Sequence, residues 1–340
     1  MTKCLTIFCV AFCAILFAED SIEILALDVI PYESFIKGDE ETIDIFKRAL
    51  HENGIVGIKG IPGYKEKVFK FIESARAFSQ LPENVKEQYA PNHELGETFL
   101  GYEKGKEKFK RPDGKWGIDD LKVSYYGFVP DEIRNKWPKE VDIRTSFQEI
   151  GELMSEMGVK VMQSMGMIGS KTGISIDGVP RLGRMLYYRK SVDGASDNPY
   201  WCGAHFDHSM FTALLPAFYF IDGKQILEPM EAGLHVKIAK DGVFKKVIAN
   251  DYDVMLFQVG EFGQLIANDE IQATEHRVHK ALGSVERYTM ALFFDASPDT
   301  VIHSFSELTQ DARYGGSAGD PCSYQHWDSE SFKRYIVKEN

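Results

Sequence analysis

Two rhythms of apolar residues divide the chain near residue 180. Before that point the spacing is helical. From Glu41 to Asn53 the residues Ile43, Phe46, Ala49 and Leu50 keep it, and Gly54 stands where a left-handed helix cap is expected. Ile55 to Ile61, with the run IVGIKGI, reads as a short buried strand. A second helix is predicted from about Tyr64 to Ser79, burying Val68, Phe71, Ile72, Ala75 and Phe78, and Leu81-Pro82 ends it. After Pro138, the residues Ile143, Phe147, Ile150, Met154, Met157, Val161 and Met165 fall every three or four positions. They predict a long helix lying along the outside of the strand-rich part, its methionines serving as core packing.

Beyond residue 180 the period drops to two, or the runs become short and apolar: GRMLYYRK, TALLPAFYFI, GLHVKI, VMLFQVG and RYTMALFFDA. Asp222-Gly223 and Asp241-Gly242 punctuate them as turns, the latter a hairpin signal. Many short strands at this spacing suggest a double-sheet jelly roll. The expected class is α+β: a double-stranded β-helix (jelly-roll) core flanked by helices, with an N-terminal helical region. Residues 19–175 form that mostly helical region, 176–300 the jelly roll and 301–340 a C-terminal tail.

The first 18 residues read as an address: Lys3, the apolar run Cys4 to Phe17, then Ala18 before Glu19-Asp20. The run is shorter than the ~20 residues needed to span a bilayer and suits a cleaved signal peptide. Cleavage places the protein in the secretory pathway or periplasm with no stable membrane span. An uncleaved anchor, or a cytosolic N-terminus with the cytoplasm as location, stays open. Cys4, Cys9 and Cys13 lie in this segment, so Cys202 and Cys322 alone remain, too few for a disulfide framework. One disulfide between them stays open.

With 340 residues, 44% apolar and 26% charged, the chain has ordinary globular composition. Acidic residues exceed basic ones by 51 to 39, a formal charge of -12, which argues against nucleic acid as a partner and leaves a small-molecule substrate. The lysine-rich stretch YEKGKEKFKRPDGK, Tyr102 to Lys115, reads as a solvated surface.

The candidate chemistry lies in GAHFDHSMFTALL and ATEHRVHK. On a strand, residues two apart face the same way, so His205 and Asp207 can meet one ion, and His276 is the best second imidazole. Two imidazoles and one carboxylate leave coordination positions open, as a mononuclear Fe(II) oxygenase site requires. His208 and His279 flank these ligands and make weaker candidates. Arg287 and Thr289 share one face of a later strand with Ala291, while Tyr288, Met290, Leu292 and Phe294 make the other. An inward arginine is costly unless it meets an anion, and its planar fork suits a carboxylate.

These residues, in this order, resemble the isopenicillin N synthase-like branch of the 2-oxoglutarate and Fe(II)-dependent oxygenases. The family's HxD motif, HRV histidine and Arg-x-Ser pair read here as His205-Phe206-Asp207, His276-Arg277-Val278 and Arg287-Tyr288-Thr289. Thr212 to Leu215, Gly233 to Val236 and Val259 to Glu261 resemble its intervening strands and turn. In the N-terminal half, His51 to Val56, Phe78 to Tyr89 and Asn135 to Pro138 resemble its helical region. The resemblance implies metal ligands His205, Asp207 and His276, and co-substrate contacts from Tyr188, Arg287 and Thr289. It also implies Fe(II), 2-oxoglutarate and O2 as cofactor and co-substrates, and oxidation of a small organic molecule with release of succinate and CO2. Leu186 and Arg189 depart from the family's asparagine and proline around Tyr188. An Fe(II) oxidase that dispenses with 2-oxoglutarate, and a non-catalytic metal-binding jelly roll, remain open alternatives.

Overall fold

Two sheets face each other across a cavity in the structure, a computed structural model that describes residues 22–92, 100–105, 108–110, 114–118, 121–169, 172–190 and 198–335. The expected signal segment, residues 1–18, lies outside them. The larger sheet has ten strands. Eight run side by side in the order Val29–Pro31, Ile55–Lys59, Val254–Val259, Phe211–Leu214, Val285–Phe294, Arg181–Tyr188, Lys122–Val129 and Gly101–Lys104. The hairpin Phe218–Ile221 and Lys224–Ile226 continues along Val285–Phe294. The smaller sheet has four strands, ordered Phe244–Lys246, Gly233–Lys237, His276–His279 and Tyr200–His205. This is the expected jelly roll flanked by helices.

The turns behave as the sequence requires. Asp222 and Gly223 join their strands with both φ angles positive, 48° and 80°. That pair of left-handed residues matches the twist of a two-residue hairpin, and glycine takes the second place at no steric cost. Helices form at Glu40–Glu52, Tyr64–Ser79 and Arg144–Ser164. Gly54 does adopt the left-handed conformation, with φ of 67°.

The alternation along Val285–Phe294 divides the interior in two. Tyr288, Met290, Leu292 and Phe294 enter a core shared with the helices. Arg287, Thr289, Ala291 and Phe293 turn to the space between the sheets. The long helix seats closely on the first face: a Cβ added at Gly158 would lie 2.0 Å from the Phe294 ring, so only glycine lets helix and strand approach this far. Between the sheets two smaller clusters, around Trp201 and around Val236, leave the cavity unfilled between them.

Four strands from before residue 176 extend the larger sheet, so the region expected to be mostly helical contributes to the jelly-roll layer itself. Of these, only the Ile55 strand has a clear signature. Lys122–Val129 is buried along nearly its whole length, and its polar–apolar alternation covers only Lys122 to Tyr125 before the strand turns apolar on both faces. Cys202 and Cys322 are both buried, and no disulfide joins them. Among the described residues no helix is long and apolar enough to cross a membrane.

Candidate metal centre and its cavity

His205 ends its strand, and the chain leaves the sheet before Asp207. The shared strand face expected for these two residues is therefore not what brings them together. Asp207 is set by the turn that follows: its carbonyl accepts from the Glu261 amide at 2.8 Å, and its carboxylate Oδ2 accepts from the Thr212 hydroxyl at 2.6 Å. The strand breaks here because the chain crosses from the smaller sheet to the larger, where Phe211–Leu214 begins.

The three expected ligands still converge. His276 is the register partner of His205 on the neighbouring strand, with ring centres 4.2 Å apart. Asp207 Oδ1 lies 3.8 Å from His205 Nε2 and 3.9 Å from His276 Nε2. One donor atom from each residue falls within 4.8 Å of the others. Each imidazole is fixed from behind by the carbonyl two residues earlier: Nδ1 of His205 donates to Gly203 O and Nδ1 of His276 to Thr274 O, both at 2.9 Å. Those bonds place the proton on Nδ1 and leave the Nε2 lone pairs facing Asp207, the arrangement a metal-binding histidine needs. The Gln258 side-chain amide lies 2.8 Å from His276 Nδ1, and turned with its otherwise unpartnered oxygen to the ring it accepts from the same Nδ1–H.

The electrostatics favour the ligand states of these groups. Burial, reinforced by His205, pushes His276 down to about 4, so it stays neutral at physiological pH. Burial opposes ionisation of Asp207, yet the two imidazoles and the Thr212 hydroxyl hold its carboxyl below the usual range. His208 and His279 stand elsewhere. His208 Nε2 is 3.0 Å from Asp328 on the C-terminal helix, and His279 packs edge-on against Tyr200.

A cavity opens beside the three residues, and Tyr188, Arg287 and Thr289 line it with them. Arg287 is 6% exposed. Its Nε donates to the Tyr219 hydroxyl at 3.1 Å, its guanidinium lies 4.9 Å from the centre of the Tyr188 ring, and its Nη1 is buried with no hydrogen-bond partner. Tyr219 in turn donates to Glu228 Oε1 at 2.7 Å, and Lys246 Nζ stands 4.0 Å from the same oxygen. Two cations and one carboxylate leave this end with one net positive charge, and an orphaned donor beside it. A ligand carboxylate would satisfy both. Thr289 donates its hydroxyl proton to Leu215 O at 2.8 Å. Burial pushes the Tyr188 hydroxyl up to about 12, which keeps it a donor.

Sequence reasoning missed Tyr219, Glu228 and Lys246. Tyr219 is the register partner of Arg287, a pairing that no local spacing announces. The segments Phe99 to Lys122 and Asp193 to Cys202 supply Lys122 and Cys202 to the cavity wall, while residues 99, 106–107, 111–113, 119–120 and 193–197 lie outside the described ones. Among the described residues the tail after Pro298 does not line the cavity. It packs behind the centre, where the Trp327 indole donates to His208 O at 3.1 Å and Arg313 pairs with buried Glu261 at 2.6 Å.

Comparison with known proteins agrees with this architecture. No protein-family model matches the chain. A curated Arabidopsis thaliana protein named "Probable 2-oxoacid dependent dioxygenase" is 29% identical over 109 residues, 31% of this chain and 28% of that protein. The match thus spans little more than a quarter of the relative's length. Among solved structures, a full-length Neurospora crassa protein in complex with alpha-KG superposes with a TM-score of 0.70 at 21% identity, over 93% of this chain and 98% of that one. JOX2 in complex with 2OG, Fe and JA gives a TM-score of 0.66 at 18% identity, covering 94% of this chain and 91% of the other. The fold is that of these 2-oxoglutarate oxygenase structures.

Proposed function

We propose that the protein is a 2-oxoglutarate- and Fe(II)-dependent oxygenase that oxidises a small organic molecule, with O2 as second co-substrate. The observation that carries this reading is the pairing, in one cavity, of three converging donors, His205, Asp207 and His276, with a buried arginine that lacks one partner. The donor set suits Fe(II): two imidazoles and a carboxylate, with no thiolate among them. When bound, iron and 2-oxoglutarate supply the oxidation, in which the keto acid is decarboxylated to succinate and CO2.

The chain's own residues bind, orient and exclude water. His205, Asp207 and His276 present ligand atoms already aimed by Gly203, Thr212 and Thr274. Arg287 Nη1 would hold the distal carboxylate of 2-oxoglutarate, and Tyr219, backed by Glu228, fixes the guanidinium from the other side. Tyr188 packs against that guanidinium and walls the carboxylate end. Leu214, Leu234 and Val278 keep the interior apolar. The test is succinate release: it should require both Fe(II) and 2-oxoglutarate, and its absence from the loaded wild-type protein would refute the reading.

We further infer that residues 1–18 act as a cleaved export signal, supported by the apolar run Cys4 to Phe17 ahead of Glu19-Asp20. N-terminal sequencing of the mature protein should then begin near Glu19. A start at Met1 would refute it and leave the cytoplasmic alternative.

A further inference from the structure

In the strand Val254–Val259, with the sequence VMLFQV, Gln258 is the lone polar residue, and it is 1% exposed. Phe257 and Val259 on either side of it enter the core under the helices, while Gln258 turns to the opposite face and meets His276. We propose that Gln258 is a positioning residue for the metal ion: its amide oxygen accepts from His276 Nδ1–H and so sets how tightly His276 Nε2 binds the ion. This rests on the metal reading above, in which His276 is a ligand.

A buried amide is unfavourable unless its polar atoms find partners. Whichever way the Gln258 amide is turned, one polar atom meets His276 and the other has no partner. A methionine of the same length would fill the place without leaving a polar atom orphaned, so folding alone does not call for glutamine here. The one polar contact the amide makes is to a metal ligand.

Each orientation of the amide suits one tautomer of the ring. Oxygen toward Nδ1 requires the proton on Nδ1 and leaves Nε2 free to bind a cation. Nitrogen toward Nδ1 requires the proton on Nε2, which closes the ligand position. Thr274 O, 2.9 Å from the same Nδ1, selects the first arrangement. The Nδ1 proton is then shared between two oxygens, which makes Nε2 a stronger donor to a metal. The bond from Gln258 adds to the aiming by Thr274 and does not replace it. Gln258 also has a companion: its register partner on the next strand is Thr212, whose hydroxyl holds Asp207. Neighbouring positions on one face of the larger sheet thus support two of the three ligands.

The test uses Co(II), a redox-stable probe, with the full chain and without 2-oxoglutarate. Gln258→Met should weaken Co(II) binding about tenfold in equilibrium dialysis and shift the visible Co(II) bands. Its metal-free unfolding midpoint should equal or exceed that of the wild type. Gln258→Glu, which offers only acceptors when ionised, should bind Co(II) at least as tightly as the wild type. Gln258→Leu stands in for the methionine variant should that one not fold. A residue that merely packs would show the reverse pattern, a lower midpoint with Co(II) affinity and spectrum unchanged, and that result overturns the proposal. A folded Gln258→Glu variant as weak as Gln258→Met overturns it too. Failure of the cofactor reading shows in the wild type instead. No Co(II) binding there overturns both, whereas Co(II) binding without an Fe(II)–2-oxoglutarate absorption band removes the co-substrate alone.

Discussion

The two ends of the cavity are built on opposite plans. At the metal end each imidazole is aimed by the carbonyl two residues before it, Gly203 for His205 and Thr274 for His276, and Asp207 by a threonine five residues on. At the carboxylate end Arg287 is aimed by Tyr219, Tyr219 by Glu228, and Glu228 is balanced by Lys246, residues drawn from separate strands and a loop of the jelly roll. The first plan is local and survives wherever its short segments fold. The second exists only once several strands have paired, so it should be the more sensitive to distant change.

Arg287→Ala is the strongest way to separate the ends. Removing one side of a buried charged hydrogen bond costs about 3 kcal/mol, so 2-oxoglutarate affinity should fall about 100-fold while iron affinity is unchanged. Equilibrium dialysis reads both. Loss of iron as well would mean that the ends are not independent.

Gly158→Ala attacks the scaffold under the carboxylate end. The added methyl meets the Phe294 ring on the strand that carries Arg287. Overpacking should lower the unfolding free energy by about 2 kcal/mol, although alanine favours helices over glycine. A neutral or stabilising result in urea denaturation would show that the long helix does not seat on the sheet as described.

His235 repeats the local plan without a carboxylate: its Nδ1 donates to Gly233 O at 3.1 Å on the same sheet. Burial pushes it down to about 4, against about 6.5 in the unfolded chain. Between those values the unfolded chain binds the extra proton, so this histidine costs stability as pH falls from 7 to 5 and contributes no such loss above its unfolded value. Urea midpoints should show wild type losing on the order of 2 kcal/mol more than His235→Asn over that range. An equal loss in the two proteins would contradict the burial assigned to it.

Tyr219→Phe sharpens the contrast most gently. It leaves Arg287 in place and removes the hydroxyl that its Nε and Glu228 share. Affinity for 2-oxoglutarate should weaken about tenfold, with iron binding retained. No change would reduce Tyr219 to a packing residue.

The same contrast explains what could be read from the chain. The metal end was legible because its residues sit in short motifs, HFDH and EHRVH, whose backbone partners are two residues away. Even there the reason differed: Asp207 joins the triad from a turn after the strand has ended. The alternation of Arg287, Thr289 and Ala291 against Tyr288, Met290 and Leu292 was legible because one face meets the cavity and the other the helices. Tyr219, Glu228 and Lys246 were not, because their roles follow from which strands become neighbours. The Lys122 strand was hidden for a further reason, since its period of two stops at Tyr125 and the rest is apolar on both faces.

The central claim is that His205, Asp207 and His276 together hold Fe(II) and let it take up 2-oxoglutarate. Anaerobic titration of Fe(II) with and without 2-oxoglutarate, followed through the weak visible charge-transfer band of the chelate, tests it most directly. The band should appear in the wild type and vanish in His205→Ala, Asp207→Ala and His276→Ala, each still folded. A band that persists in all three variants would contradict the assignment.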